Sequence, residues 1–197
     1  MSRAKKSRKR IPTISQLESE INNQKYKKKY HVAIKDAIFT LITVAAIAIL
    51  VATLWLPVLK IYGSSMTPTF KAGDVVLSLK QSKFKAGDII AFYYENKLLV
   101  KRYVAGPGDW VNIDDYGNVY VNGEKLDEPY IEKKSLQPCD ITLPYQVPDG
   151  KYFLLGDKRD VSIDSRSSSV GCVSKEQLIG RIVFRIWPFN VFGKIGD

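Results

Sequence analysis

The sequence predicts one transmembrane helix followed by a mainly β domain. Residues 37–59 form an apolar run of 23 residues that contains no charged side chain. As a helix, a run of this length would extend about 35 Å, which is enough to cross a bilayer. Beyond residue 60 the chain changes to short β-branched and aromatic runs separated by turns rich in glycine, proline and aspartate. We therefore divide the chain into a basic segment (1–36), a membrane-spanning helix (37–59) and a β domain (60–197).

The distribution of charge predicts the orientation of the span. Residues 1–36 hold eleven lysines and arginines against three acidic residues, which accounts for +8 of the net charge of +10. Positive charge in short flanking segments stays on the cytoplasmic side, so residues 60–197 are predicted to be extracytoplasmic. A nucleic-acid-binding arm is the alternative for this basic segment. A topology signal with attraction to anionic lipid explains the charge without nucleic acid as a partner.

The segment before the span carries no recognisable chemistry. Residues 1–12 are predicted to be a basic, disordered arm, whose role the sequence leaves open. Helical spacing of Ile14, Leu17 and Ile21 predicts a helix or a lead-in to the span. A buried core helix is the alternative to a membrane span for residues 37–59. A cleaved signal peptide does not fit, because its apolar region would run only about 7–15 residues.

Seven strands are predicted in the β domain. The first two follow a repeated Lys-Ala-Gly-Asp turn, at residues 71–74 and 85–88. A Gly-Pro-Gly-Asp sequence at 106–109 predicts a type II turn, which needs glycine at its third position. Residues 124–147 are polar and interrupted by proline, which indicates a loop, and a helical turn is predicted within 176–180. The predicted strands are Val75–Leu79, Ile89–Tyr93, Leu98–Val104, Trp110–Ile113, Asn118–Val121, Lys151–Leu155 and Ile179–Trp187.

The residue inventory restricts the chemistry of the β domain. The only histidine, His31, lies in the cytoplasmic segment, which excludes a Ser-His-Asp triad and a histidine-based zinc site on the outer side. Cys139 and Cys172 are not in a C-x-x-C pair, so no metal or cofactor is predicted, and whether they form a disulfide is left open. Small and hydroxyl residues crowd into the turn at 63–69. A serine nucleophile there would need a lysine or a carboxylate as its base.

Lys101 is the lysine whose surroundings suit a general base. Period-2 alternation places Leu99, Lys101 and Tyr103 on one face of the predicted strand. Desolvation between two apolar neighbours would favour the neutral amine, and lowering its pKa to near 8 requires roughly 3 kcal/mol. The alternative is an ordinary surface lysine whose stem packs on apolar neighbours.

Four segments resemble the conserved boxes of the bacterial type I signal peptidase family. Residues 65–69 read S-M-T-P-T, which matches the nucleophile box S-M-x-P-T. Residues 85–92 resemble the R-G-D strand box, and 101–109 resemble the K-R lysine box with its glycine displaced by one position. Residues 156–166 match G-D-N-R-x-x-S-x-D-S-R. The four occur in the family's order behind an N-terminal span, and the resemblance implies an antiparallel β-sheet domain of the coiled-barrel type.

The resemblance assigns the catalytic roles. Ser65 corresponds to the nucleophile, Lys101 to the general base, and Ser162 to the serine that orients the lysine amine. Gly63 stands where some members have a serine that contributes to the oxyanion hole. The hole would then depend on the backbone N–H of Ser65, with Ser64 or another group as an undecided second donor.

The resemblance also assigns supporting residues. Asp164 and Arg166 correspond to one ion pair, and Asp157 and Arg102 to a second. Lys158 stands where the family usually has asparagine, which adds a charge beside the site.

The function that the resemblance implies is cleavage of N-terminal signal peptides from exported preproteins by a membrane-bound serine endopeptidase. The implied partners are preproteins and the lipid bilayer, with small residues at substrate positions −1 and −3, no cofactor, and a monomeric enzyme. From Leu59 to Ser65 the extended chain reaches at most about 20 Å, so the nucleophile is expected near the membrane surface. One alternative is a catalytically inactive, membrane-tethered β domain that binds exported proteins. A self-cleaving Ser-Lys repressor protease is another, against which the membrane span argues.

Overall fold

The computed structural model describes residues 13–80 and 83–195, so the predicted basic arm, residues 1–12, lies outside the described residues. The chain divides into two compact units, Met1–Val51 and Ala52–Asp197. Helix α1 (Ile14–Trp55) is 42 residues long and joins the predicted lead-in and most of the predicted span in one element. By its length and composition this helix could cross a membrane.

The helix ends four residues before the predicted end of the span. Its last backbone hydrogen bond runs from the N–H of Leu56 to the carbonyl of Ala52, at 2.8 Å. Pro57 stops the helix, because proline has no N–H to donate and disfavours helical backbone in the residue before it. Val58–Lys60 instead forms strand β1, which pairs with the next strand of the β domain. Residues 58 and 59 therefore belong to the sheet, which corrects the predicted boundary.

The regular structure of the second unit is mainly antiparallel β-strand, as the sequence predicts. The strands that follow β1 are β2 (Val75–Leu79), β3 (Ile89–Tyr94), β4 (Lys97–Ala105), β5 (Trp110–Ile113), β6 (Val119–Val121), β7 (Glu124–Lys125), β8 (Tyr145–Gln146), β9 (Lys151–Leu155), β10 (Val173–Ser174), β11 (Leu178–Trp187) and β12 (Gly193–Lys194). Within the described residues the strands form an eight-stranded sheet in the order β1-β2-β11-β3-β4-β9-β10, with β12 beside β11, and a four-stranded sheet in the order β7-β6-β5-β8.

The predicted strands agree closely with those observed. The bounds of β2, β5 and β9 coincide with the prediction, and those of β3, β4, β6 and β11 differ by one or two residues. The predicted loop at 124–147 contains only the two-residue strands β7 and β8 among its described elements. The predicted helical turn is a 3-10 turn at Lys175–Gln177, which ends before residue 178.

The repeated Lys-Ala-Gly-Asp sequence folds twice into the same turn. The Asp74 carboxylate accepts a hydrogen bond from the Lys71 N–H at 3.1 Å, and Asp88 accepts one from Lys85 at 2.8 Å. The Gly-Pro-Gly-Asp turn at 106–109 repeats this arrangement, with a 2.8 Å bond from the Gly106 N–H to the Asp109 carboxylate. Its third residue has φ of +85°, as a type II turn requires.

The hydrophobic core fixes the two segments that carry the predicted catalytic residues. Met66 and Phe70 are buried with Ile61 and Val76 in one cluster, which holds the turn after β1 against the sheet. Strand β4 lies between β3 and β9, so its backbone is hydrogen-bonded on both edges. The core and the strand pairing thus fix the backbone of the turn at 63–69 and of the strand that carries Lys101.

Candidate active site

Ser65 lies in a tight turn anchored by buried side chains. The turn contains a 3.1 Å hydrogen bond from the Thr67 N–H to the Ser64 carbonyl, and Met66 is 2% exposed. Ser65 is half-buried, whereas Ser64 is exposed to solvent. Of the two adjacent serines, Ser65 is therefore the one held against the interior of the domain.

Lys101 is buried in the middle of β4, opposite Ile90 of β3. Only 3% of the residue is exposed, and its Nζ donates a 2.9 Å hydrogen bond to the hydroxyl of Ser162. Burial lowers the pKa of Lys101 from its ordinary value of 10.5 to about 8. The neighbouring Asp164 opposes this shift less strongly than burial produces it. The amine is thus much easier to deprotonate than that of a solvated lysine.

Gly156 brings the nucleophile turn and the lysine partner together. A Cβ at Gly156 would collide with the Ser162 hydroxyl and would lie 2.7 Å from the Ser65 carbonyl oxygen. The Lys158 N–H donates to that carbonyl at 3.0 Å, and the Ser162 N–H donates to the Lys158 carbonyl at 3.1 Å. Ser65, Ser162 and Lys101 therefore converge at one place. Among the described residues, the Ser65 hydroxyl makes no hydrogen bond.

Asp164 and Arg166 form a fully buried ion pair behind Ser162. The guanidinium approaches both carboxylate oxygens at 2.9 Å, and the carboxylate also accepts a 3.0 Å hydrogen bond from the Gly156 N–H. Arg166 further donates to the backbone carbonyls of Ser135 and Arg159, at 2.9 and 2.8 Å. The pair ties the loop that carries Ser162 to the segment at 135–136.

Arg102 and Asp157 form a second buried ion pair on the side of the nucleophile turn. The guanidinium donates to both carboxylate oxygens, at 2.8 and 2.6 Å. Thr69, at the end of the turn, donates its hydroxyl to the same carboxylate and accepts a 3.3 Å hydrogen bond from Arg102. The structure thus brings together all seven site residues that the resemblance identifies: Ser65, Lys101, Arg102, Asp157, Ser162, Asp164 and Arg166. Lys158, which departs from the family's motif, takes part through its backbone N–H and carbonyl.

A third buried ion pair and an aromatic ring were missed by sequence reasoning. Arg159 donates to the Glu128 carboxylate, and neither side chain is more than 1% exposed. The ring of Tyr130 lies 3.7 Å from the Arg102 guanidinium carbon. Arg159 lies inside the 156–166 motif, which could have indicated a role. Glu128 and Tyr130 lie in a polar loop, where the sequence gives no such signal.

The three ion pairs leave Lys101 without a carboxylate of its own. Each buried carboxylate of the cluster is paired with one arginine, so the cluster is electrically balanced when the Lys101 amine is neutral. Protonation of Lys101 would add one unpaired positive charge to a buried region, which is energetically costly. Its hydrogen-bond partner, the Ser162 hydroxyl, is uncharged. The arrangement therefore favours an uncharged amine at the end of a buried side chain.

The remaining chemistry-bearing residues of the β domain are separate from this cluster. Cys139 and Cys172 are free thiols, and burial raises the pKa of Cys172 to about 11, so it remains protonated at neutral pH. Within residues 13–80 and 83–195, no group of three or more His, Cys, Asp or Glu side chains is arranged to hold a metal ion. The chemistry that the described site can perform is removal of a proton by the Lys101 amine.

Comparison with known proteins identifies the family. The sequence profile described as "Signal peptidase, peptidase S26" matches residues 34–187. Signal peptidase IB of Staphylococcus aureus is 38% identical over 154 residues, which cover 67% of this chain and 78% of that protein. Signal peptidase I of Bacillus amyloliquefaciens is 34% identical over 185 residues, or 88% of this chain and 99% of that protein.

Among solved structures, a signal peptidase I from Enterococcus faecalis is 31% identical, covers 50% of this chain and 96% of that chain, and has a TM-score of 0.42. The profile match spans all four motif segments, and the two relatives are aligned over 67% and 88% of the chain. The chain therefore belongs to the S26 family of signal peptidases and is a serine-type peptidase.

Proposed function

We propose that the protein is a membrane-anchored endopeptidase that removes N-terminal signal peptides from exported preproteins, with Ser65 as nucleophile and Lys101 as general base. Helix α1 anchors the enzyme, the basic residues of segment 1–36 keep the N-terminus in the cytoplasm, and residues 60–197 act as a monomer on the outer side. The observation that carries this proposal is the buried Lys101 amine, bonded to a neutral hydroxyl and surrounded by carboxylates that are already paired.

The mechanism begins with transfer of the Ser65 hydroxyl proton to neutral Lys101. The serine oxygen attacks the carbonyl carbon of the scissile peptide bond, and the resulting oxyanion accepts a hydrogen bond from the Ser65 N–H. The protonated lysine then gives its proton to the leaving amine, which releases the mature protein and leaves an acyl-enzyme. Lys101 next takes a proton from a water molecule whose oxygen attacks the ester carbonyl. The ester bond breaks, the lysine returns the proton to the Ser65 oxygen, and the signal peptide leaves with a free carboxylate.

Ser162 holds the Lys101 amine throughout this cycle. The amine has one side-chain partner in the described site, so its lone pair remains available to the Ser65 hydroxyl once the proton is lost. Catalytic hydrogen bonds commonly tighten or form only when substrate is bound, so the bond between Ser65 and Lys101 is expected in the complex with a preprotein.

Cleavage of a preprotein is the direct test of this proposal. The full chain in detergent micelles is incubated with a preprotein that has alanine at positions −3 and −1, and mass spectrometry locates the new N-terminus. We expect cleavage directly after the −1 alanine, and acylation of Ser65 by a serine-reactive probe. The Ser64→Ala variant should still cleave the preprotein, whereas Ser65→Ala should not. An intact preprotein together with unlabelled Ser65 would contradict the proposal and support a catalytically inactive domain.

The pH dependence of cleavage should follow the protonation of Lys101. The general base works only when neutral, and an amine with a pKa of about 8 is neutral in roughly a tenth of molecules at pH 7. We expect kcat/KM to rise about tenfold per pH unit below pH 8 and to level off above it. A rate that is constant between pH 6 and 9 would show that Lys101 is not the base. The Lys133→Ala variant, which changes an exposed lysine, should give the same profile as wild type.

A further inference from the structure

The turn at residues 128–131 packs against the buried ion pairs of the site. The N–H of Ile131 donates to the Glu128 carbonyl at 3.2 Å, and Pro129 occupies the second position of the turn, which suits its fixed φ. The Tyr130 hydroxyl donates to the Glu128 carboxylate at 3.3 Å. The two side chains are therefore held together by a short turn, and both contact arginines of the site.

Glu128 is linked through Arg159 to Gly156, beside Ser162. Its carboxylate binds the guanidinium of Arg159, whose Nε donates to the Gly156 carbonyl at 2.9 Å. Gly156 is the residue that separates the Ser162 hydroxyl from the Ser65 carbonyl. A displacement of Arg159 would therefore be transmitted to the contact between the nucleophile turn and the serine that holds the lysine amine.

Tyr130 is linked through Arg102 to Thr69, at the end of the nucleophile turn. Its ring packs 3.7 Å from the Arg102 guanidinium carbon, a cation–π geometry. Arg102 contacts Thr69 in the nucleophile turn and shares the Asp157 carboxylate with it. Burial raises the pKa of Tyr130 far above its ordinary value, so the phenol keeps its proton for Glu128.

We propose that Glu128 and Tyr130 are positioning residues for the proposed peptidase reaction. Through Arg159 and Arg102 they set the separation between Ser65 and the Lys101–Ser162 pair during acylation. This inference rests on the proposed function and adds to it two residues outside the four motifs.

Stability alone does not account for this arrangement. Replacing both members of a buried ion pair by apolar side chains of similar size is often neutral or stabilising, so a contribution to stability does not by itself explain the Glu128–Arg159 pair. A catalytic group displaced by about 1 Å can cost about 10²-fold in rate. Positioning and a purely structural role therefore predict different results for a well-folded variant that lacks the pair.

The test compares steady-state cleavage of a preprotein by the full-length wild type and three variants in detergent micelles. The Glu128→Met/Arg159→Met double variant removes both charges, Tyr130→Leu removes the ring, and Tyr130→Phe keeps it. We expect kcat to fall at least tenfold in the double variant and in Tyr130→Leu, with KM within twofold of wild type. Tyr130→Phe should keep at least half of the wild-type kcat, because its ring still packs on Arg102. Lys133→Ala, in the same loop but at an exposed ion pair, should match wild type.

Each outcome decides one point. A folded double variant with a kcat within twofold of wild type overturns the role of Glu128. If the double variant does not fold, Tyr130→Leu decides the inference, and unchanged kcat in that variant overturns it. A rise in KM with unchanged kcat also overturns it, because that pattern indicates substrate binding. A wild-type protein that cuts no preprotein overturns the proposed function and this inference with it.

Discussion

Replacing Lys101 with methionine is expected to abolish cleavage and to stabilise the folded protein. Methionine has a similar volume but no amine, so Ser65 loses its base, and kcat should fall by about 10⁶-fold, as when the nucleophile or the base of a serine protease is removed. The stability gain arises because methionine removes a buried charge that the wild-type protein has to accommodate below pH 8. The burial that lowers the pKa of Lys101 and so supplies a neutral base therefore also makes this side chain destabilising.

The size and the pH range of this gain follow from the pKa of Lys101. The pKa is about 8 in the folded protein and 10.5 when solvated, a difference that corresponds to about 3 kcal/mol at pH 7. Between pH 8 and 10.5 the unfolded chain binds more protons than the folded one, so wild-type stability rises with pH. Loss of the hydrogen bond to Ser162 would offset about 1 kcal/mol. We expect a net gain of about 2 kcal/mol below pH 8 that disappears as the pH approaches 10.5.

Urea unfolding followed by tryptophan fluorescence measures this gain, with Ser65→Ala as the matched control. That variant should be as inactive as Lys101→Met, because it lacks the nucleophile, but its stability should stay close to that of wild type at every pH. Equal stability of wild type and Lys101→Met at pH 7 would contradict the lowered pKa. Wild-type cleavage by Lys101→Met would exclude Lys101 as the base.

The strands could be predicted because local patterns determine them. Each Gly-Asp turn carries its own hydrogen bonds between residues three apart, and the apolar runs that follow have few alternatives to a strand. The end of the helix was predicted less well because the apolar run continues through Pro57 into β1. Hydrophobicity alone does not separate a membrane span from a short apolar strand that follows it, whereas proline does.

The site was predictable only where its residues lie in the four motifs. Alternation along β4 suggested a desolvated Lys101, but it did not reveal that both strand edges and both faces are covered, so that the residue is 3% exposed. The Glu128 and Tyr130 contacts join residues about 30 positions apart, and nothing local in a polar loop specifies them. Long-range pairing of this kind depends on how the loop packs, which periodicity does not encode.

Removing Arg166 alone is expected to have the largest effect on stability. In Arg166→Met the buried Asp164 carboxylate loses its counter-ion, and the carbonyls of Ser135 and Arg159 lose their donor. Breaking one side of a buried ion pair typically costs about 3–5 kcal/mol, a large fraction of the stability of a small domain. The Lys133→Ala control breaks an exposed pair and should change stability by less than about 1 kcal/mol.

The same variant should shift the pH profile of any protein that remains folded. The Asp164 charge raises the pKa of Lys101 and the Arg166 charge lowers it, so losing Arg166 should move the acidic limb of kcat/KM to higher pH. Asp164→Asn should move it to lower pH, because the amide keeps an acceptor oxygen but removes the negative charge. The two shifts are opposite in sign, whereas a general loss of packing would lower the rate without moving the limb. Parallel shifts in both variants would show that these charges do not control the Lys101 amine.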